Sequence, residues 1–271
     1  MRQATAVAYF DAATAIVRRD WTTYKSYRTQ LVTGPFSMFV SMCLFYYVSR
    51  LIEVSSYGDS DQYFSYIVVG LLTLMTLQST LMVAGTVRGE LMAGTFERLL
   101  LSPLGSAGGV ASMMLFPWVV SILSATVVLM MAAAVFGLPV NWSTAWLAYP
   151  VALLGSGAFA ALGMLFAATV LIFKRMIAGA GLLLTAISFT SGVYFPVALL
   201  PNWVEWVSEV QPFTPAIQLL RHVLIGAEIP HSAWMLAFKI AAFVVVMIPL
   251  GFAALTAATR VGQRTGTIIE Y

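Results

Sequence analysis

The sequence predicts an all-α, polytopic membrane protein with six transmembrane helices. Of its 271 residues, 60% are hydrophobic and only 9% are charged, whereas soluble domains carry roughly 25% charged residues. A soluble domain needs a charged surface to stay dispersed, and a surface that faces lipid needs the opposite. One membrane domain is therefore predicted over residues 1–271.

Intervals without charge define the spans, because a helix needs about 20 apolar residues to cross the hydrocarbon core. The uncharged interval 99–173 is too long for one span, and the turn-like residues 137–141 divide it. Spans are predicted at about 31–49, 63–87, 110–136, 144–173, 176–195 and 234–258.

The lysines and arginines predict that both termini are cytoplasmic, because cytoplasmic flanks are enriched in these residues. With the N-terminus inside, eleven cations lie on the inner side and three, Arg50, Arg221 and Lys239, lie on the outer side. The acidic residues show the opposite bias, with Glu53, Asp59, Asp61, Glu205, Glu209 and Glu228 all outside.

Residues 1–29 are predicted to form an interfacial helix rather than a cleaved signal peptide, because they lack a continuous apolar core. Phe10, Trp21 and Tyr24 fall near one face of this helix, with cations elsewhere on it, which suits the headgroup region of the inner surface. The alternative is an ordinary helix packed against a partner. Cys43 is the only cysteine, so no disulfide forms within the chain.

Segment 88–103, after the second span, is too polar to cross the membrane and is predicted to form a short amphipathic helix that stops at Pro103. Leu91, Phe96 and Leu99 fall near one face, and the charged residues lie off it. The pattern fits a docking site for a soluble partner and equally fits a turn that shields lipid headgroups.

Segment 196–233, after the fifth span, is broken by prolines into short pieces. Leu199, Trp203 and Trp206 give one piece an apolar face on a helix too short to span. Short helices that dip into the outer leaflet are predicted here. The alternative is an external loop with aromatic anchors.

Two stretches carry a resemblance to a known family. Residues 94–100 with Ser102 and Pro103 resemble the coupling-helix region of permeases in the ABC type-2 exporter family. The order of six spans and the N-terminal interfacial helix also match, so the resemblance covers nearly the whole chain. The residues that look like that family's stretch after the fifth span are Gly192 to Pro196, Leu200, Pro201, Trp203, Pro212 and Arg221.

The resemblance implies a multi-pass permease in the cytoplasmic (inner) membrane of a prokaryote. Two permeases, expected to be copies of one chain, would form the pathway. Two ATP-binding subunits, which would hold ATP and Mg²⁺, would grip segment 88–103 from the cytoplasm. The residues expected to couple to the ATPase are Glu90, Gly94, Thr95, Phe96, Glu97, Arg98 and Leu99, and the outer gate region is expected at Phe195, Pro196, Leu200, Pro201, Trp203 and Arg221.

Several chemistries are missing from the sequence. It has no glycine-rich loop followed by Gly-Lys-Ser or Gly-Lys-Thr, so the chain is not expected to bind ATP or to be an enzyme. His222 and His231 have no adjacent ligand set and are interpreted as surface or packing residues, and no cofactor, metal or nucleic acid is expected. The spans lack the carboxylates and histidines that ion-coupled carriers use. A carrier or channel, a membrane enzyme and an assembly scaffold are the alternatives.

The expected cargo is amphiphilic or hydrophobic, because the resemblance extends to exporters of drugs, lipids, glycolipids and lipid-linked polysaccharides. Uncharged polar side chains in the first, second and fifth spans could contact such a cargo or could join helices. These residues are Ser37, Ser41, Thr73, Thr76, Gln78, Ser79, Thr185, Ser188 and Thr190.

Overall fold

A computed structural model of the chain describes residues 2–26, 28–51, 60–173 and 177–265. Within these ranges the protein is helical and contains no strand, which confirms the all-α class. The helices are α1 (Arg2–Ser26), α2 (Arg28–Leu51), α3 (Ser60–Leu81), α4 (Val83–Met92), α5 (Phe96–Leu100), α6 (Gly105–Phe136), α7 (Ala148–Phe173), α8 (Ile177–Thr190), α9 (Asn202–Val210), α10 (Phe213–Ile225) and α11 (Ala233–Thr265), with 3₁₀ turns at Ala145–Leu147 and Val197–Leu199.

Five helical stretches in the described part of the chain are long and apolar enough to cross a membrane. They coincide with the predicted first, second, third, fourth and sixth spans and confirm a polytopic membrane protein. Their bounds are Val32–Leu51, Asp61–Met92, Gly105–Phe136, Ala145–Phe173 and Ala233–Arg264.

The fifth predicted span differs from the structure. Helix α8 has 14 residues and is therefore about 21 Å long, short of the roughly 30 Å hydrocarbon core. The predicted end at residue 195 is wrong, because the helix stops at Thr190 and the backbone turns at Gly192, whose φ is 81°. Glycine adopts this left-handed conformation without the clash of a Cβ atom. Residues 174–176 lie outside the described part of the chain, and the sixth crossing stays a prediction.

Helices α3, α4 and α7 occupy the centre of the bundle. Their apolar stretches are mostly buried within the protein, with 72% and 56% of the most apolar windows buried, whereas only 11–17% is buried in α2, α6 and α11, as expected for helices with a side that faces lipid. Three apolar cores surround this centre: the first joins α4–α7 and α11, the second joins α3, α7, α8, α10 and α11, and the third joins α2, α3, α6 and α10. Their largest buried side chains include Phe96 and Met164, Phe159 and Phe213, and Met42 and Phe64 respectively.

Segment 196–233 separates into two different structures. Helix α9 is exposed along Trp203, Trp206 and Val210, which fits the prediction of a helix at the membrane surface. Helix α10 is buried along nearly its whole length, so it is part of the core rather than of the surface. The loop between α6 and α7 covers the end of α10, where Asn141 N donates to Leu224 O at 2.7 Å and Thr144 Oγ1 donates to Val223 O at 2.7 Å.

The hydroxyl groups in the spans bond mainly within their own helices. Thr73 and Thr76 are buried and donate to carbonyls four residues earlier, and Thr185 does the same on α8. Ser121 on α6 donates to Ser79 on α3 at 3.0 Å. These contacts agree with a structural role for the residues that make them, because the hydroxyls already have partners in the protein.

Gly163 allows α7 to pack directly against α3. A Cβ atom at this position would lie 2.6 Å from the carbonyl oxygen of Thr80. At Gly157, also on α7, a Cβ atom would lie 3.5 Å from the nearest atom, a methyl group of Val244. Close backbone approach through small residues is a main source of helix association in membranes.

We expect Gly163→Ala to lower the melting temperature of the purified, detergent-solubilised chain, because overpacking against a backbone carbonyl costs about 1–3 kcal/mol. Gly157→Ala is the matched control and should melt close to the wild type. Thermal unfolding followed by tryptophan fluorescence measures both. Equal melting temperatures for the two variants would contradict the close approach.

Candidate functional site

Segment 88–103 is not one helix, as predicted, but two helical pieces joined by a turn. Helix α4 ends at Met92, and α5 begins at Phe96 and contains only five residues. The chain reverses between them at Gly94, whose φ is 66°. A second left-handed glycine, Gly105, stands at the start of α6, with a φ of 62°. The single helix fails because Gly94, within the segment, adopts a left-handed conformation that ends α4.

The short helix α5 has a buried side and an exposed side. Phe96 is 1% exposed and Leu99 is also buried, and both belong to the first core. Glu97 and Arg98 are exposed, and Leu101 just beyond the helix is 88% exposed. Phe96 and Leu99 therefore support the surface from below, and a partner can contact only the charged residues and the exposed apolar ones.

Glu90, which is expected to couple to the ATPase, is bonded within the protein, and its coupling role stays a prediction. Its side chain is 14% exposed, and Oε1 accepts from Arg19 Nη1 on α1 at 2.8 Å. The other carboxylate oxygen accepts a short hydrogen bond from the Thr95 hydroxyl. The carbonyl oxygen of Glu90 also accepts from the Thr95 backbone N–H at 2.9 Å. Glu90 thus fixes the turn between α4 and α5 and ties it to α1.

Arg19 is shared between two acids. Its Nε and Nη2 donate to Asp20 Oδ1 at 3.0 and 2.9 Å, and its Nη1 donates to Glu90. Burial would lower the pKa of the Arg19 guanidinium, but the hydrogen bonds and charges of Asp20 and Glu90 outweigh it and raise the pKa. The arginine therefore stays charged and keeps both acids as partners.

Helix α1 packs against α6 and the first core, at the same end of the bundle as α5. The rings of Trp21 and Tyr24 contact Phe116 of α6 edge-on, with centroids 6.3 and 5.4 Å apart, and Ile16 packs on the first core. Phe10 remains exposed. One side of α1 therefore packs on α6 and the first core, and another carries an exposed aromatic ring. Its placement at the membrane interface stays a prediction. Between α1 and α5 lies an open groove of ≈ 740 Å³.

At the opposite end, Arg221 on α10 forms a buried clamp. Arg221 is only 4% exposed. Nε donates to the carbonyl oxygen of Tyr66 on α3 at 3.1 Å, and Nη2 donates to the carbonyl oxygens of Gly192 and Val193 at 2.9 and 3.0 Å. The sequence predicts Arg221 on the outer side of the membrane, and that side stays a prediction. The structure shows that its guanidinium lies inside the bundle and bonds backbone oxygens of two other segments.

Tyr66 and Gly70 complete the clamp on α3. The guanidinium carbon of Arg221 lies 3.2 Å from the ring centroid of Tyr66, and the Tyr66 hydroxyl donates to Gly192 O at 3.0 Å. A Cβ atom at Gly70 would lie 2.6 Å from Val193 O and 2.8 Å from the guanidinium. Aromatic and carbonyl partners together compensate the desolvation of the cation.

Of the residues expected in the outer gate, only Pro196 and Arg221 line a cavity of ≈ 430 Å³ next to the clamp. Phe195 and Leu200 do not line it and are partly buried. Pro201 and Trp203 are exposed, with Trp203 at 76%. The expected set is therefore not one cluster. The polar lining of the cavity includes Glu205, Ser208, Glu209, Gln218, Glu228, His231 and Lys239.

The two histidines show no catalytic arrangement. His222 Nδ1 lies 3.0 Å from Ala227 O beyond the end of α10, and His231 is exposed on the cavity wall. In the described parts of the chain, no group of three or more His, Cys, Asp or Glu side chains is placed to hold a metal ion.

Sequence reasoning missed three residues of these sites. No sequence motif marks Arg19, Tyr66 or Gly70, because their roles depend on partners between 71 and 155 positions away in the chain. One signal was present: Arg221 is an isolated cation within an otherwise apolar 13-residue stretch. An isolated charge of this kind predicts a buried partner.

We expect Arg221→Lys to lower stability strongly, because a lysine cannot bond the three carbonyl oxygens with the same fork and leaves buried acceptors that cost about 1–3 kcal/mol each. Tyr66→Phe removes one hydrogen bond but keeps the ring, and should cost only about 1 kcal/mol. The melting temperatures of the purified chains give the order. A Tyr66→Phe variant less stable than Arg221→Lys would contradict the clamp.

Comparison with known proteins agrees with this architecture. The sequence profile of the ABC-2 type transporter matches residues 12–225. Nodulation protein J of Rhizobium meliloti (strain 1021) is 31% identical over 91 residues, which cover 34% of this chain and 35% of that protein. Nodulation protein J of Sinorhizobium fredii (strain NBRC 101917 / NGR234) is 33% identical over 97 residues, or 36% of this chain and 37% of that protein.

The alignments with these relatives span little more than a third of each protein's length. The family profile, in contrast, extends from α1 to the last residue of α10 and includes both the segment around α5 and the clamp. The chain belongs to the ABC-2 type transporter family, as the membrane component of a transporter.

Proposed function

We propose that this chain is the permease subunit of an ATP-driven exporter in the cytoplasmic membrane of a prokaryote. A separate ATP-binding subunit, present in two copies with its own ATP and Mg²⁺, docks on the exposed side of segment 88–103. Two copies of the permease form the pathway, as is usual for symmetric membrane assemblies. Both termini and α5 lie on the cytoplasmic side in this proposal.

The observation that carries the proposal is the surface of α5. Glu97, Arg98 and Leu101 project from a five-residue helix whose other side, Phe96 and Leu99, is fixed in the first core. Interfaces commonly combine an apolar anchor with charged residues at its edge. A rigidly supported helix of this kind transmits force from a partner to the helices on either side of it.

The length of the second span supports the proposal that α5 lies outside the membrane. The stretch Asp61–Met92 has 32 residues and is therefore about 48 Å long, compared with roughly 30 Å of hydrocarbon. If its first residues begin at the outer interface, α4 extends well beyond the opposite interface. Segment 88–103 then lies in the aqueous phase, where a soluble subunit can reach it.

The cargo proposed is amphiphilic or hydrophobic, from the range of drugs, lipids, glycolipids and lipid-linked polysaccharides. The second span supports this class because it carries no charged side chain between Tyr63 and Val87. An ion-coupled carrier would need charged residues in this position. Energy must then come from the ATP-binding partner.

We expect Glu97→Ala to reduce ATP hydrolysis by the assembled complex by about 10-fold, the usual scale of a coupling between two sites. The chain should still insert and fold, because Glu97 is exposed and has no described partner to lose. ATPase activity of the co-purified complex in nanodiscs provides the measurement. Asp11→Ala, which removes another exposed acid at the same end, is the control and should hydrolyse ATP normally. Wild-type activity in Glu97→Ala would argue against docking at this surface.

The orientation is tested separately with single cysteines in a Cys43→Ala background. Leu101→Cys should react with a membrane-impermeant maleimide only after the cells are opened, because the residue is exposed on the side proposed to be cytoplasmic. Glu228→Cys, exposed at the other end, should react in intact cells. The reverse pattern would place α5 outside and would exclude an ATPase partner.

A further inference from the structure

We propose that Arg19 and Glu90 form a latch that makes α1 move together with the segment between α4 and α6. The proposal rests on the proposed function in one respect, namely that this segment receives force from an ATP-binding subunit. Arg19 is then a positioning residue: it acts through Glu90 on the surface that the partner grips, and it lies 71 positions away from Glu90 in the chain.

Glu90 connects three parts of the protein at once. One carboxylate oxygen accepts from Arg19 Nη1 at 2.8 Å, and the other accepts from the Thr95 hydroxyl. The Glu90 backbone oxygen accepts from the Thr95 N–H at 2.9 Å. One residue therefore joins the last turn of α4, the turn before α5 and helix α1. No other ion pair in the described parts of the chain links two helices at this end.

The turn between α4 and α5 determines how force on α5 can reach the spans. The turn at Gly94 separates α5 from α4, so α5 can tilt relative to the second span unless something holds it. Glu90 and Thr95 close this turn, and Arg19 connects it to α1. Helix α1 in turn leads along the chain towards α2, the first span. The latch thus gives the docking surface a route to the first span that leaves α4 at Glu90, in its last turn, and does not pass along the rest of the second span.

The environment of the ion pair determines whether it persists. Glu90 is mostly buried, whereas the Arg19 side chain is 45% exposed. Asp20 holds the guanidinium from the other side at 2.9 Å, which fixes its plane towards Glu90. A carboxylate buried to this extent is costly to leave without its cation. The pair is therefore expected to persist while the segment moves, and α1 is expected to follow it.

The first experiment measures the latch in the permease alone. Spin labels at Thr14→Cys on α1 and Met92→Cys at the end of α4, both exposed positions, are placed in a full-length Cys43→Ala chain in nanodiscs. We expect a narrow distance distribution in the wild type, a broad one in Arg19→Glu, and a narrow one again in the charge-reversed pair Arg19→Glu/Glu90→Arg. Arg18→Glu makes the same charge change one residue earlier, where the described structure has no ion pair, and should leave the distribution narrow.

The second experiment measures ATP hydrolysis by the same variants assembled with the ATP-binding subunit. Arg19→Glu should lower kcat by about 10-fold with little change in the KM for ATP, because the nucleotide site itself is intact. The charge-reversed pair should recover most of the activity, which a variant that merely misfolds would not do. Arg19→Gln, which removes the charge without repulsion, should give an intermediate kcat.

The outcomes separate the two proposals. An unchanged distance distribution in Arg19→Glu would overturn the latch whatever the function of the chain. A broadened distribution with normal kcat would overturn the positioning role of Arg19 but leave the exporter function intact. A wild-type chain that recruits no ATP-binding subunit would overturn the proposed function, and the coupling role of the latch with it.

Discussion

The structure depends on one requirement, which is that polar backbone groups inside an apolar bundle must find partners within the protein. Long helices meet it by themselves. The turn after α8 cannot meet this requirement with helical hydrogen bonds. The helix stops at Thr190, and the carbonyl oxygens of Gly192 and Val193 lie inside the bundle. Arg221 satisfies both, and its own charge is balanced by these carbonyls and by the ring of Tyr66. Helix α8 can end inside the bundle because Arg221 bonds the carbonyl oxygens that follow it.

The two ends of the bundle differ in how they are held. At the α10 end a buried cation joins α3, α10 and the turn after α8, and separating these parts would expose unpaired polar groups to an apolar environment. At the α1 end the contacts of α5 combine a buried apolar side with the partly exposed Arg19–Glu90 pair. The first end is therefore held by a buried network, whereas the second presents exposed charged and apolar side chains over a buried support.

One pair of helices connects these ends. Tyr66 in the clamp and Glu90 in the latch both belong to the second span, on α3 and α4 respectively, and 24 positions of helix separate them by about 36 Å. The same helices occupy the buried centre of the protein, where Gly163 of α7 rests on the backbone of Thr80. A displacement at α5 therefore acts on a central element whose far end is anchored.

The sequence by itself determined the membrane class, five of the spans and the amphipathic character of α5, because composition and periodicity are local properties of the chain. Gly94 and Gly192 were visible in the sequence, yet their left-handed turns, which divide segment 88–103 and shorten α8, were not predicted. Only the tertiary structure decided which charges are exposed. Glu90 and Glu97 look alike in the sequence, but Arg19 approaches one of them and not the other. The topology of the spans predicts only the side of the membrane on which Arg221 lies, whereas its burial depends on carbonyl groups from distant segments that converge on it.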